Sequence, residues 1–240
     1  MKRQNLRKLI LISSMLLFPI TIYYLSPYLI IHGAMKGIIT GSFIVFIAML
    51  FSSVFVGRLF CGYLCPVAGI QECAMVINAK NPKQGWRNNI KYIIWVVWII
   101  GIMISFIVSR QEITVDFLYA TDHGISISNI YSYIIYYGIV LLVFIPSVLF
   151  GKRIFCHYFC WMAPFMVIGT KFGDLFHIKR LRLDANKDAC INCHVCNTSC
   201  PMSLNVAEKV QIETMDDKEC ILCGACVDSC PKKAIVYKVK

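Results

Sequence analysis

The C-terminal part of the chain repeats one cysteine spacing, and this repeat constrains the fold more than any other feature of the sequence. The two copies are Cys190-x2-Cys193-x2-Cys196-x3-Cys200-Pro201 and Cys220-x2-Cys223-x2-Cys226-x3-Cys230-Pro231. Runs of this kind hold a pair of 4Fe-4S clusters, and the fourth cysteine of each run ligates the other cluster. We therefore predict two clusters with crossed ligand sets. Cluster I is assigned to Cys190, Cys193, Cys196 and Cys230, and cluster II to Cys220, Cys223, Cys226 and Cys200.

Disulfide bonds and zinc are the other common uses of clustered cysteines. Disulfide frameworks are typical of small secreted domains. Zinc sites usually pair two Cys-x2-Cys units, without a third step or a Cys-Pro ending. Both runs in this chain match the iron-sulfur pattern in full, so the sequence favours iron-sulfur clusters.

The remainder of the chain is strongly apolar. Hydrophobic residues make up 58% of the 240 residues and charged residues 15%, with a mean hydropathy of +0.66. This balance differs from that of an ordinary soluble domain. Four stretches without a charged side chain, 9–31, 37–56, 92–109 and 131–150, approach the roughly 20 residues that a membrane-spanning helix needs. We predict an all-α membrane bundle of four transmembrane helices, with kinks at Pro19, Pro27 and Pro146, which a bundle tolerates.

The basic residues next to these stretches lie mainly on one side. That side holds Lys2, Arg3, Arg7, Lys8, Arg58, Lys80, Lys83, Arg87, Lys91, Lys152 and Arg153, whereas the opposite loops hold Lys36 and Arg110. Because Lys and Arg near helix ends stay in the cytoplasm, we predict a multi-pass protein of the cytoplasmic (inner) membrane with both termini and the cluster domain in the cytoplasm. The net charge of +11 then reflects topology and contact with lipid headgroups. No nucleic-acid motif accompanies it.

A second cysteine pattern follows the second and fourth apolar stretches. Phe60-Cys61-x-Tyr63-x-Cys65 and Phe155-Cys156-x-Tyr158-x-Cys160 align with each other, and each follows an arginine, Arg58 or Arg153. The simplest explanation is a two-fold repeated helix pair, and repeats in membrane proteins tend to place function at their interface. Cys61, Cys65, Cys156 and Cys160 would then present four thiols to a third redox metal centre. Inert packing of buried cysteines explains the spacing equally well.

The positions of the histidines indicate whether the chain could bind haem or a quinone. Haem between spanning helices needs axial imidazoles inside the membrane, whereas the five histidines fall at helix ends, in the second Cys-x3-Cys motif or near the clusters. Haem is therefore not expected. A quinone head group beside His32 and His123 on the outer side is one hypothesis. An ordinary aromatic belt formed by the tyrosines nearby is the alternative.

Together these motifs resemble the NapH family of membrane ferredoxin-type proteins, which is related to the membrane core of NosR and CcoG. The resemblance covers nearly the whole chain. It implies an integral subunit that moves electrons between quinol and iron-sulfur or periplasmic redox partners, in some cases supporting the activity or maturation of a reductase. It gives cluster roles to the eight C-terminal cysteines and a redox-associated role to Cys61, Cys65, Cys156 and Cys160. Trp161 departs from the family pattern, which usually has proline at this position.

The composition changes after Phe176, and this change predicts two domains. Residues 1–177 form the transmembrane domain with its two cytoplasmic-side Cys-x3-Cys motifs. Residues 178–240 form an α+β two-cluster ferredoxin-like domain, with a strand near 181–183, a helix around 205–211 and a closing strand at 234–238. The clusters stabilise this domain because it is too small to bury a large core.

Two functions remain open. The first is an electron-transfer subunit of a membrane oxidoreductase of the quinol dehydrogenase type. It would pass electrons between the quinone pool or a membrane partner and a redox partner such as a cytoplasmic ferredoxin, a flavoprotein or a membrane reductase subunit. The alternative is an accessory redox protein for the maturation or regulation of another metalloenzyme. The sequence carries no Walker, Rossmann or hydrolase motif.

Overall fold

The N-terminal region is a series of short helices. The computed structural model describes residues 2–83, 85–109 and 112–240, so Arg110 lies outside the described residues. Helix α1 (Lys2–Leu16) is followed by α2 (Phe18–Thr21), a 3-10 helix (Ile22–Leu25) and α3 (Pro27–Met35). The chain bends by 59° between α1 and the pieces that follow. Stretch 9–31 is therefore interrupted near Pro19 and Pro27, where the sequence predicts kinks.

Two prolines begin helices and a third lies inside one. Pro19 and Pro27 lie in the first turns of α2 and α3, where the missing N–H group costs nothing because it would have no helical partner. Ser26 caps α3 by accepting a hydrogen bond from the backbone N–H of Leu29. Pro146 lies inside a later helix that continues through it. The sequence thus predicts the breaks at Pro19 and Pro27, whereas at Pro146 the helix is unbroken.

The central part of the chain contains two copies of one unit. The first copy is strand β1 (Ile38–Thr40) and helices α4 (Gly41–Val56), α5 (Leu59–Tyr63) and α6 (Pro66–Ile77). A 3-10 helix (Trp86–Asn89), helix α7 (Ile90–Ser109) and strand β2 (Thr114–Asp116) follow. The second copy is α8 (Ile130–Phe150), α9 (Ile154–Tyr158) and α10 (Met162–Leu175). In both copies a long helix leads into a five-residue helix that carries a cysteine.

The two copies pack across each other. Helix α10 lies along α4, and α6 lies along α8, so that the last helix of each copy packs on the first helix of the other. Gly169 of α10 permits the close approach, since an added Cβ atom would collide with the carbonyl oxygen of Leu50 and the side chain of Ser53 in α4. On the far side, β1 and β2 pair in parallel, with Ile38 opposite Thr114. This arrangement has the two-fold character that the repeated motif predicts.

By length and composition, two helices among the described residues could cross a membrane. They are Trp86–Ser109 and Ile130–Phe150, and the bent pair Lys2–Leu16 and Phe18–Leu25 adds a third if it counts as one span. Large apolar side chains on both helices are exposed, among them Ile107 (72%) and Ile134 (67%). Helix α4 has 16 residues and is therefore about 24 Å long, shorter than a hydrocarbon core of about 30 Å. The four predicted spans are thus not confirmed.

The C-terminal region is a small α+β module. Its elements are β3 (Leu181–Ala185), α11 (Val195–Ser199), α12 (Val206–Gln211), α13 (Ala225–Ser229) and β4 (Ile235–Val239). Strands β3 and β4 pair antiparallel, with Leu181 opposite Val239, and α11 packs against α13. Both strands and α12 lie where the sequence predicts them. The division into 1–177 and 178–240 stays a prediction; α10 ends at Leu175 and β3 begins at Leu181.

Candidate metal centres

The structure brings the eight C-terminal cysteines together as two sets of four. One small cavity is lined by Cys190, Cys193, Cys196 and Cys230. A second is lined by Cys200, Cys220, Cys223 and Cys226. We call these the cluster I set and the cluster II set. Because α11 and α13 pack together, the end of each cysteine run lies beside the start of the other, which produces the crossed grouping that the spacing predicts. Ligation by these residues stays a prediction.

The backbone of the two cysteine runs has the same unusual shape. Asn192 and His194 in the first run, and Leu222 and Gly224 in the second, have φ angles of 50–71°. These residues hold equivalent positions, and the left-handed conformation turns successive N–H groups towards one centre, as in anion-binding nests. The backbone N–H of Asn192 donates to Cys190 Sγ at 3.4 Å, and that of Ala234 to Cys230 Sγ at 3.3 Å. Such hydrogen bonds to sulfur stabilise a negatively charged cluster.

The two sets differ in exposure to solvent. Cys193 of the cluster I set is exposed, whereas Cys200, Cys223 and Cys226 of the cluster II set are 6–8% exposed. Burial raises the pKa of Cys200 to about 11, because a buried thiolate lacks hydration. Thiolates at the cluster II set therefore need a bound cation, which fits an iron-sulfur cluster.

The cluster II loop lies directly on the first Cys-x3-Cys segment. Gly62 of α5 meets the backbone of Ile221, and a Cβ atom added to Gly62 would lie 2.5 Å from the Ile221 carbonyl oxygen. The carbonyl oxygen of Cys223 accepts hydrogen bonds from Tyr63 Oη at 3.3 Å and from Gln4 Nε2 at 3.0 Å. The cluster II set therefore faces α5, and the cluster I set lies nearer to solvent.

The Cys-x3-Cys motifs place four thiols in one buried region. Cys61, Cys65, Cys156 and Cys160, which we call the four-thiol set, are 3–4% exposed and belong to the same hydrophobic core. Burial and the proximity of its three partners raise the pKa of the Cys65 thiol. Gln71 Nε2 donates to Cys156 Sγ at 3.1 Å, and Cys61 Sγ lies 3.9 Å from Met166 Sδ. The structure thus brings together the four cysteines that the repeat predicts.

The four-thiol set is not closed around a single metal ion. Among the described residues, no group of three or more His, Cys, Asp or Glu side chains is arranged to hold one ion. The same is true of the cluster I set and the cluster II set.

Two buried carboxylates bridge pairs of cations beside the four-thiol set. Glu72 of α6 contacts Arg7 at 2.9 Å and Arg153 at 2.6 Å. Glu219, next to Cys220, contacts Arg58 at 3.1 Å and Lys91 at 2.6 Å. Each group of two cations and one carboxylate has a net charge of +1. We call these groups the Glu72 triad and the Glu219 triad.

The triads surround the thiols with positive charge. Burial raises the pKa of Cys61, and the nearby charges of Arg58 and Arg153 act against that rise. Arg153 Nη1 also donates to the carbonyl oxygen of Cys61 at 2.9 Å. Arg58 Nε and Nη2 are buried and have no hydrogen-bond partner among the described residues. The positive charges of Arg58 and Arg153 therefore lie close to the thiol of Cys61.

Sequence analysis did not find the carboxylates of either triad, or Gln71. Glu72 carried one usable signal, because it is the only acidic residue among the first 111, and a lone carboxylate in an apolar region usually has a buried partner.

Sequence analysis also gave His157 no role. Burial lowers its pKa to about 4, and neither ring nitrogen has a hydrogen-bond partner among the described residues. The imidazole is therefore neutral at physiological pH.

The two histidines that sequence analysis places on the outer side, His32 and His123, have separate surroundings. His32 Nδ1 lies 3.0 Å from Tyr119 Oη. His123 is 96% exposed and lies 2.8 Å from Asp122. The exposed His123 offers no enclosed pocket for a quinone head group. His32 lines an apolar cavity.

Comparison with known families matches all three cysteine segments. Residues 189–235 match a family described as a 4Fe-4S dicluster domain. Residues 38–84 and 134–180 each match a second family, described as a 4Fe-4S binding domain. The first match contains both ferredoxin sets, and the second occurs once for each Cys-x3-Cys motif. The matches therefore define an iron-sulfur protein with a repeated central unit.

Similar proteins extend along most of the chain. An uncharacterized protein of Methanocaldococcus jannaschii is 29% identical over 92% of this chain and 89% of its own length. The putative electron transport protein YccM of Escherichia coli is 22% identical over 81% of this chain and 55% of its own length. The methylamine utilization ferredoxin-type protein MauN of Paracoccus denitrificans is 24% identical over 73% of this chain and 60% of its own length. No solved structure gives a significant match. These matches support a resemblance to the NapH-like ferredoxin-type proteins and an iron-sulfur electron-transfer role.

Proposed function

We propose that the chain passes electrons between the quinone pool, or a membrane partner, and a soluble redox partner. The route runs through the two 4Fe-4S clusters and a third iron-sulfur centre at the four-thiol set. The observation that carries this proposal is the order of the three cysteine sets. The cluster I set is near solvent, the cluster II set lies against α5, and the four-thiol set includes Cys61 of α5. Such an order suits through-flow of electrons from one side of the protein to the other.

Charge balance supports an iron-sulfur cluster at the four-thiol set. The Glu72 and Glu219 triads together carry a net charge of +2, since each combines two cations with one carboxylate. A 4Fe-4S cluster with four thiolate ligands has a formal charge of about −2 in its oxidised form. The cluster would thus offset the positive charge of the triads, of which Arg7 and Arg153 also act on Cys223 of the cluster II set. Ligands Cys61, Cys65, Cys156 and Cys160 would hold it, two from each copy of the repeat.

The surface beside the cluster I set suits a soluble partner. Ile191 and Val195 are 58% and 40% exposed, and Cys193 is exposed between them. Lys232 and Lys233 are exposed next to Cys230. An apolar centre with a charged rim is the usual anatomy of a transient interface, and the lysines favour a partner with an acidic docking surface. A cytoplasmic ferredoxin or flavoprotein with such a surface is the expected soluble partner.

We place the ferredoxin-like module on the cytoplasmic side of the inner membrane. In support, Lys152 Nζ donates to the carbonyl oxygen of Thr198 at 3.2 Å, and Arg3 pairs with Asp228 at 2.7 Å. Basic residues at the predicted inner edge therefore contact the module. The strand pair β1–β2 lies at the other ends of the long helices, as expected for outer loops.

Iron content tests the number of centres. Protein purified without oxygen should contain about twelve iron atoms per chain with three 4Fe-4S clusters, and about eight with two.

Replacing Cys61 and Cys156 with alanine should remove only the third centre and stop reduction of the clusters by quinol in inverted vesicles. Cys73→Ala is the matched control, because Cys73 is half-buried and belongs to none of the three sets. About eight iron atoms in the wild type, or quinol-dependent reduction that survives the double change, would contradict the third centre.

The same vesicles separate this proposal from the accessory role. If quinol and a membrane partner both fail to reduce the clusters, while a partner metalloenzyme stays immature without this protein, the accessory function is correct and the proposal is wrong. Steady turnover that continues after the partner enzyme has matured supports the electron-transfer role.

A further inference from the structure

A cavity of about 230 Å³ lies where the ends of α4 and α10 meet the ferredoxin-like module. Gly57 follows α4, Thr170 and Lys171 belong to α10, and Leu183 and Leu222 come from β3 and the cluster II loop. The volume is smaller than the roughly 300–1,000 Å³ of sites that enclose a whole small molecule. The cavity therefore has room for a small polar group and not for an extended ligand.

The lining of this cavity carries more positive than negative charge. Five cations and three carboxylates line it, namely Arg58, Lys171, Arg180, Arg182, Lys218, Asp174, Asp216 and Asp217. Each of the three carboxylates is already held in an ion pair, two of them by Arg180 and Arg182 and the third by Lys209. No carboxylate of the lining is therefore left to neutralise the remaining cations.

Two of these cations are accessible to a ligand. Lys171 and Lys218 are exposed and form no ion pair with any described residue. Lys218 Nζ lies 5.5 Å from the centroid of the Tyr92 ring, a contact that positions the ammonium group without neutralising it. Arg58 is buried in the wall of the cavity, and its charge acts across the wall without contact. An anion is therefore the expected occupant.

Next to the cavity, α10 carries an exposed apolar surface. Leu175 lies one turn after Lys171 and therefore shares its face of the helix, and it is 69% exposed. Phe172 and Phe176 stack on each other, with ring centroids 6.5 Å apart, and both are exposed. Exposed apolar surface of this kind indicates contact with a lipid or a partner. The basic cavity and the apolar surface together match a ligand with an anionic head and apolar chains.

We propose that this cavity binds the head group of an anionic phospholipid, whose phosphate contacts Lys171 and Lys218 while its acyl chains lie on the apolar surface of α10. The proposal goes beyond electron transfer, but it rests on the placement of this edge at the cytoplasmic side of the membrane in the proposed function. Basic pockets on the cytoplasmic side of membrane helices are typical sites for anionic lipid head groups. A soluble phosphate ester would meet the same lysines, but it would leave the apolar surface uncovered.

A lipid in this position would join two parts of the chain. Lys171 belongs to α10, whereas Lys218 lies two residues before Cys220 of the cluster II set. One phosphate between them would therefore hold the cluster II loop against the helices.

Binding of dioleoyl phosphatidylglycerol to the iron-loaded full chain in detergent, measured by native mass spectrometry without oxygen, tests the site. We expect one tightly held lipid per chain, and a Kd about tenfold higher for dioleoyl phosphatidylcholine, which has no net charge. Lys171→Gln combined with Lys218→Gln should raise the Kd for phosphatidylglycerol about 25-fold, because each lysine near an anionic head group contributes a factor of about five. A short-chain phosphatidylglycerol should bind more weakly than the dioleoyl lipid, because it covers less apolar surface.

Lys179→Gln combined with Lys187→Gln is the matched control. Both lysines are exposed, neither lines the cavity, and the pair removes the same charge. The Kd of this control should equal that of the wild type. Iron content and Tm measured on each variant show that the folded, loaded protein is being compared.

Several results would overturn the proposal. They are equal Kd values for phosphatidylglycerol and phosphatidylcholine, an unchanged Kd after the Lys171 and Lys218 changes, or an equal loss in the control pair. Inorganic phosphate or short-chain phosphatidylglycerol that binds as tightly as the dioleoyl lipid would show that the site takes a soluble anion, and would also overturn it. If the lipid fails to bind while quinol still reduces the clusters, this inference is wrong and the proposed function stands. If the lipid binds and quinol reduces no cluster, the inference stands and the proposed function is wrong.

Discussion

Replacing Glu219 with glutamine tests the charge arrangement around the four-thiol set. The Glu219 side chain is 3% exposed, and its partners Lys91 and Arg58 are 0% and 2% exposed. Removing one partner of a buried ion pair costs about 3–5 kcal/mol, because a buried charge is left uncompensated. In a protein of this size about 1 kcal/mol lowers Tm by about 2–4 °C. We therefore expect Glu219→Gln to lower Tm by roughly 6–20 °C.

The assay is thermal unfolding in detergent, followed by the far-ultraviolet helix signal, with Asp184→Asn as the control. Asp184 pairs with Lys238 at 3.3 Å and Lys240 at 2.7 Å, and the side chains of both lysines are more than half exposed. Exposed pairs contribute about 0–1 kcal/mol, so the control should unfold near the wild-type Tm. A Glu219→Gln variant that also unfolds near the wild-type Tm would show that Arg58 and Lys91 do not depend on Glu219.

A double-mutant cycle links this cost to the third centre. With a negatively charged cluster at the four-thiol set, Arg58 and Lys91 keep one anionic neighbour after Glu219 is neutralised. Without that cluster this neighbour is absent. Glu219→Gln should therefore cost more in the Cys61→Ala, Cys156→Ala background than in the wild type, by about 0.5–3 kcal/mol. Equal costs in both backgrounds would refute the argument that the cluster balances the Glu219 triad.

Three further predictions follow from the geometry of the site. Cys223→Ser should lose the cluster II signal in electron paramagnetic resonance and lower the iron content, because serine is a poor cluster ligand; unchanged iron would contradict the ligand assignment. Gly62→Ala should displace the cluster II loop, destabilise the protein by about 1–3 kcal/mol and slow cluster reduction by quinol, whereas Gly138→Ala, with open space around it, should do neither. Burial alone would raise the pKa of Glu72, but Arg153 and Arg7 lower it from 4.5 to about 2. The stability that Glu72 contributes should therefore be complete above about pH 4.5 and be lost as the pH falls towards 2; circular dichroism should show this acid loss in the wild type and not in Glu72→Gln.

The cysteine spacings predicted which thiols the structure brings together, because the spacing within these motifs is a local property of the sequence. The crossed grouping of Cys200 with Cys220, Cys223 and Cys226 follows from a spacing rule that is independent of the rest of the chain. The repeat likewise predicted that Cys61, Cys65, Cys156 and Cys160 would meet, since two similar units tend to pack symmetrically.

Features that depend on distant partners could not be predicted in this way. Glu219 lies 128 residues from Lys91, and no spacing in the sequence connects them. The first apolar stretch has the length of a span, but α1 packs along α6 and its Arg7 pairs with Glu72. This tertiary contact, together with Pro19 and Pro27, breaks the stretch into pieces. Hydropathy depends on the length and composition of a stretch, and it carries no information about its tertiary contacts.

The buried ion pairs also affect the argument for orientation. Of the eleven basic residues on the predicted inner side, Arg7, Arg58, Lys91, Lys152 and Arg153 are buried. Ion pairs inside the protein hold four of them, and a hydrogen bond to the carbonyl oxygen of Thr198 holds Lys152. These five residues therefore add little to a count based on contact with the membrane surface. The other six basic residues on the predicted inner side still outnumber Lys36 and Arg110 on the predicted outer side. The distribution of basic residues therefore predicts the same orientation.

A protease-sensitive tag after Lys240 tests this orientation, because Lys240 is exposed at the end of β4. The tag should resist protease in intact spheroplasts and be removed in inverted vesicles. A second tag between Phe117 and Asn129, in the segment that follows β2, should behave in the opposite way. Removal of the C-terminal tag from intact spheroplasts would place the ferredoxin-like module outside the cytoplasm, and a cytoplasmic redox partner could then not reach the cluster I set.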